Sequence, residues 1–171
     1  GLVDPTDARD RVVTEKYTWL VGHMLPTGTA EAFQVVSDFT SLLFWHDDMC
    51  DESAISSDPR RLAELFRLEL DLLLHRAEPR ADVPLEVALC DLRDRFERLA
   101  PDPGWMLRFV ASMQDYFDAC SWEAENRWSG AIPAVEDFVP LRPFAGALWV
   151  YLHFIDLLLG WSLPLAIMLI V

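Results

Sequence analysis

The sequence predicts an all-α fold, and three observations carry that expectation. Apolar residues recur at three- and four-residue spacing through most of the 171 residues. Pro, Gly, Ser and Asp gather where that period lapses. No alternating β-branched run and no Asn-Gly dipeptide occurs, so hairpin signals are missing. At 19.6 kDa the chain can bury one sizeable core but not two ordinary ones. A single α-helical domain over residues 1–171 is therefore expected.

The elements follow in order. Arg9 to Met24 has helical period, broken by Leu25-Pro26-Thr27-Gly28. Thr27 or Thr29 can start a second helix, with Glu31 in its first turn and Phe33, Val36, Phe39, Thr40, Leu43 and Phe44 on its apolar stripe. Ser57-Asp58-Pro59 opens a third, with Pro in an early position, running through Leu62, Leu65, Phe66, Leu70 and Leu73. Val83 to Leu99 forms a fourth, stopped by Pro101-Asp102-Pro103-Gly104, and Trp105 to about Arg127 a fifth. After Ser129-Gly130, Pro133 and Glu136 open a short segment. Arg142 precedes Pro143, which places it near a helix start. From Ala145 to Val171 the only formal charge is Asp156, beside His153. That stretch is long enough for a membrane span, but Asp156, Gly160 and Pro164 interrupt it, and two buried core helices are expected instead. His153 and Asp156 are spaced to pair with each other.

Composition excludes several functions. With 14 Lys plus Arg against 28 Asp plus Glu, the formal net charge is −14. Such a chain repels phosphate, so nucleic acid and anionic lipid surfaces are poor partners, and stable membrane insertion is not expected. Cys50, Cys90 and Cys120 form neither a disulfide framework nor a zinc pattern, and the polar start Gly1-Leu-Val-Asp-Pro does not read as a signal peptide, so a cytoplasmic protein is expected. No P-loop, Gly-rich dinucleotide turn or Ser-His-Asp order is present.

The sharpest feature is Phe44-Trp45-His46-Asp47-Asp48-Met49-Cys50-Asp51-Glu52. Four carboxylates fall within six residues at the end of an apolar helix. Asp47 and Asp51 share one helical face, Asp48 and Glu52 the next. Negative charge at a helix C-terminus opposes the macrodipole, and no Lys or Arg lies between Lys16 and Arg60. A solvated acidic turn is one reading; a hard divalent cation held by oxygen ligands is the other, and Mg²⁺ suits it. Thr40, Leu43 and Phe44 lie one and two turns back and form an apolar wall beneath the acids. His46 fits packing or a supporting bond better than Mg²⁺ ligation. Glu123 and Arg127, four apart, read as a helix salt bridge.

With a second segment, this cluster resembles the class I terpene synthases of bacterial type. Asp47-Asp48-Met49-Cys50-Asp51-Glu52 is similar to the family's DDxxD/E motif. Trp122-Glu123-Ala124-Glu125-Asn126-Arg127 through Pro133, Glu136, Phe138 and Arg142 resembles the stretch leading to its diphosphate-sensing arginine. The resemblance covers nearly all of the chain but only part of the family's catalytic domain. It implies an isoprenoid-synthase helical bundle and a linear isoprenyl diphosphate, farnesyl or geranylgeranyl, cyclised to a hydrocarbon or alcohol with release of diphosphate. It also implies three Mg²⁺ ions, with Asp47 as leading ligand, Asp51 or Glu52 assisting and Asp48 turned toward closure contacts. Arg142 would sense diphosphate, and Gly146 would offer its carbonyl to the nascent cation at a helix break. The resemblance adds Trp149 to the pocket and a homodimer as the assembly some relatives form. The family's later Asn/Asp-Ser/Thr-Glu metal triad has no counterpart in these residues. That departure motivates a second reading, a non-enzymatic helical interaction protein related to the same family. A membrane-associated helical protein and a chain-elongating prenyl synthase fit less well.

Overall fold

The computed structural model describes residues 16–24, 26–52 and 58–160, with the side chain of Glu52 left out. These residues form seven helices: α1 Tyr17–Met24, α2 Ala30–Glu52, α3 Pro59–Leu73, α4 Pro84–Leu99, α5 Trp105–Ser129, α6 Val135–Ala145 and α7 Leu148–Leu159. No strand occurs among them. The expected helical start at Arg9, the Leu25 break and the apolar tail beyond Gly160, Pro164 included, lie outside the described residues.

Local chemistry sets the boundaries. Thr29 starts α2: its hydroxyl oxygen accepts from the Ala32 N–H at 3.2 Å and its carbonyl from the Phe33 N–H at 2.9 Å. Asp58 caps α3 through a 3.1 Å bond from the Arg60 N–H, with Pro59 following at the first helical position. Arg93 of α4 donates at 2.7 Å to the Leu72 carbonyl, satisfying one of the orphan acceptors at the end of α3. Gly130 closes α5 at φ 68°, where its N–H bonds Arg127 O and the Ala131 N–H bonds Asn126 O.

Four helices meet on one aromatic cluster. Phe39 of α2, Phe96 of α4, Phe109 of α5 and Phe154 of α7 place every ring pair between 5.2 and 5.9 Å, centroid to centroid. Trp105 stacks on Phe109 at 5.2 Å and donates its indole N–H to His153 O at 3.1 Å. Such rings bury much area and prefer these offset and edge geometries. The cluster therefore fixes α7 against α2 and α5, and with it the helix break that precedes α7.

Two expectations change here. Arg142 lies in the last turn of α6, not at a helix start, because α6 continues through both Pro140 and Pro143. Short and mostly exposed, it tolerates the lost N–H donors, and a cation in its last turn suits the dipole. His153 does not pair with Asp156: its Nε2 bonds Ser112 Oγ at 2.9 Å, and its Nδ1 has no partner among the described residues. The window Val135–Leu159 is long and apolar enough to cross a membrane by composition, yet Gly146 and Ala147 break it and α7 is packed into the core.

Candidate metal and diphosphate site

The C-terminal half of α2, the end of α5, the loop after it and the α6–α7 junction enclose a cavity of about 940 Å³. Its α2 wall carries Leu43, Phe44, Asp47 and Asp51, which recur at one helical face. The same lining includes Glu123, Asn126 and Arg127 of α5, and Arg142 and Gly146. Trp122, Phe138, Tyr116 and Tyr151 supply aromatic surface between the charged groups. Phe44 is held flat against Tyr17 of α1, with ring centroids 4.3 Å apart and 2° between planes.

Charge at this cavity is incompletely matched. The Tyr116 hydroxyl donates to Asp47 Oδ1 at 3.2 Å. Even so, burial and then the neighbouring Asp51 push the Asp47 carboxyl above its usual range, against the pull of Tyr116 and His46. Burial followed by Asp51 also raises Glu123, although the Arg127 and Arg142 charges oppose this. Arg127 pairs with Asp51 across the helices at 3.0 Å and reaches Cys50 O at 3.4 Å. The expected Glu123–Arg127 bridge within α5 gives way to this contact.

Gly146 follows α6, with its N–H on Arg142 O at 2.9 Å. A Cβ there would lie 3.2 Å from that same carbonyl, so the tight turn favours glycine. Ala147 then takes φ 53°, a left-handed conformation rare for a residue with a side chain, before α7 begins. The helix break is thus built at the cavity wall.

The remaining expected residues divide. Thr40 does not reach the cavity: it is fully buried, its hydroxyl back-bonded to Val36 O at 2.8 Å, with Tyr151 beside it at that level of the wall. Trp149 does not reach it either and packs on Phe144 at 6.0 Å. Helical phase explains the pair: Tyr151, four residues past Ala147, shares its face, whereas Trp149, two past, is turned away. Asp48 is half-buried and off the cavity wall, and the Glu52 side chain lies outside the described residues. Sequence reasoning missed Tyr116 as a bond to Asp47 and Glu69 as the partner of His46. An apolar stripe on α5 and a lone acid within the apolar face of α3 mark both residues as core-facing in the sequence, without indicating which groups they bond.

Oxygen donors from α2 and α5, held near one another without enough positive charge, are what a hard cation neutralises. Among the described residues, three ligand atoms come within 4.8 Å of one another only at His75, Asp94 and Glu97, which are exposed, away from the cavity and engaged with each other and with Arg93. The cavity acids are more widely spread, leaving coordination positions for water or phosphate oxygens.

Residues 38–169 match the family model described as terpene synthase family 2, C-terminal metal binding. The chain belongs to this terpene synthase family. It is 31% identical over 166 residues to the (+)-eremophilene synthase of Sorangium cellulosum, covering 97% of this chain and 50% of that protein. Over 150 residues it is 37% identical to the (+)-T-muurolol synthase ((2E,6E)-farnesyl diphosphate cyclizing) of Roseiflexus castenholzii, covering 87% of this chain and 45% of the relative. The terpene synthase chain thus spans about half the length of the curated relatives it matches. Among solved structures, the ancestral reconstruction SVS_A2 superposes with TM-score 0.89 at 19% identity, over 98% of this chain and 51% of that one. Germacradien-4-ol synthase from Streptomyces citricolor gives 0.72 at 21% identity, over 95% and 58%. At those identities the likeness establishes the fold.

Proposed function

We propose that this chain provides the aspartate-rich wall and the diphosphate-sensing arginine of a class I terpene cyclase. The substrate is a linear isoprenyl diphosphate, farnesyl or geranylgeranyl, and the cofactor is Mg²⁺, three ions by the family's pattern. The observation that carries the reading is the cavity itself. It gathers Asp47, Asp51, Arg142 and Gly146 in one lining together with apolar and aromatic surface. Relatives named for cyclising farnesyl diphosphate support the substrate class.

Asp47 would lead in holding the metal, its oxygen oriented by the Tyr116 hydroxyl. Asp51 would assist, and its bond to Arg127 restrains it between two helices. Bound Mg²⁺ would supply charge stabilisation for a departing diphosphate. Arg142, at the C-terminal end of α6 and in the cavity lining, would donate its guanidinium N–H groups to a diphosphate oxygen. Phe44, Trp122 and Tyr151 present apolar faces that exclude water from the hydrocarbon portion and can stabilise developing positive charge. The Gly146–Ala147 break ends the hydrogen-bond ladder of α6 beside that surface, where the Gly146 and Ala147 N–H groups bond Arg142 O and Phe144 O.

Incubation with ten-, fifteen- and twenty-carbon prenyl diphosphates, with and without Mg²⁺, tests the proposal by gas chromatography–mass spectrometry. The expected result is a Mg²⁺-dependent terpene hydrocarbon or alcohol that Asp47→Asn abolishes. Diphosphate release that ignores both Mg²⁺ and Asp47→Asn would contradict it.

A further inference from the structure

Glu69 is a carboxylate in the middle of an apolar core. It sits on α3 with 2% of its surface exposed, and both of its oxygens accept from His46 Nε2, at 3.1 and 3.0 Å. His46 is 5% exposed and immediately precedes Asp47 on α2. Its ring lies against Phe66, Phe117 and Tyr116, with centroids 5.7, 5.6 and 6.4 Å away, and Cys50 Sγ lies 3.6 Å from its Nδ1. A carboxylate so placed is costly unless paired, and a buried ion pair seldom adds net stability over apolar residues of similar volume. Such a pair serves better as a device that admits one arrangement and rejects others.

The arrangement it admits is specific. Successive helical residues are turned by about 100°, so fixing the rotation of His46 fixes that of Asp47. With His46 tied to α3, Asp47 is turned toward the cavity and toward Tyr116 of α5, whose hydroxyl meets it at 3.2 Å. We infer that Glu69 and His46 form a positioning pair that anchors the C-terminal end of α2 and holds Asp47 facing the cavity. Its consequence for metal rests on the function proposed above.

Two variants of the full chain test this. Glu69→Gln keeps the shape and one acceptor but removes the charge. The double variant His46→Leu with Glu69→Met replaces the pair by apolar side chains, a kind of change that folded proteins often accept without loss of stability. Hydrogen exchange by mass spectrometry reads the local order of residues 45–51. Exchange there should rise a few-fold in Glu69→Gln and about ten-fold in the double variant, with α4 and the thermal midpoint near parental values. Mn²⁺ affinity, followed by electron paramagnetic resonance, should weaken in the same order. Parental exchange over 45–51 in both variants would overturn the inference, because the pair would then only fill space. If the parent chain takes up no Mn²⁺, the metal chemistry of the proposed function falls, and the exchange result still decides the anchor.

Discussion

Asp47 carries contradictory demands. It is pressed by Asp51 and Asp48, partly removed from water, and supported by one phenol. If a cation is what relieves that pressure, Asp47→Asn should lower Mn²⁺ or Mg²⁺ affinity by about 100-fold, the upper end of what even an outer-shell change costs. Tyr116→Phe removes only one hydrogen bond, worth about 0.5–1.5 kcal/mol, and should weaken metal binding by about 2- to 12-fold. Calorimetric titration with Mg²⁺ would check both. The acid cluster was legible in the sequence because four carboxylates at a helix end require an explanation that the local chain does not contain. Its supporting partners were not legible, since Tyr116 and Glu69 lie 69 and 23 residues from the groups they bond, and only packing of α5 and α3 on α2 brings them there. For the same reason Arg127 read as a partner for Glu123, four residues away, when the shorter reach across helices is to Asp51.

At the scale of elements, the helices were readable from their period, and their ends from breaks such as Thr27-Gly28-Thr29, Ser57-Asp58-Pro59 and Ser129-Gly130. α6 was harder, because two prolines ordinarily end a helix, and a short exposed segment can absorb the two missing donors where a core helix could not. That difference moved Arg142 from a helix start to a helix end while leaving it at the cavity. Gly130 sets the direction in which the chain leaves α5 toward α6. At φ 68°, with nothing within 4 Å of the point a Cβ would occupy, Gly130→Ala meets a purely conformational cost. The expected loss is about 1 kcal/mol, lowering the thermal midpoint by about 2–4 °C, measurable by circular dichroism. An unchanged midpoint would mean that the left-handed turn is not retained in solution.

Across the whole molecule, the core that holds α7 in place also buries a titratable ring. Burial, then the Arg108 charge, pulls His153 down to about 4 from its ordinary 6.5. In the unfolded chain the same ring takes up a proton near pH 6.5, so between pH 6.5 and 4 the unfolded state binds more protons than the folded one. Stability therefore falls as pH drops through that window, by on the order of 3 kcal/mol once both limits are passed. Urea unfolding at about pH 7 and about pH 4.5 should show the loss, and His153→Gln, which can still bond Ser112, should show less of it. Equal pH dependence in both would assign the effect to other groups.

Residue, element and core converge on one cavity, proposed to join metal-holding acids to a diphosphate-sensing arginine. Titration of the chain with inorganic diphosphate, by calorimetry with and without Mg²⁺, tests that most directly. The expected result is binding that requires Mg²⁺ and is lost in both Asp47→Asn and Arg142→Ala. Diphosphate binding that persists without Mg²⁺, or that survives both substitutions, would contradict it.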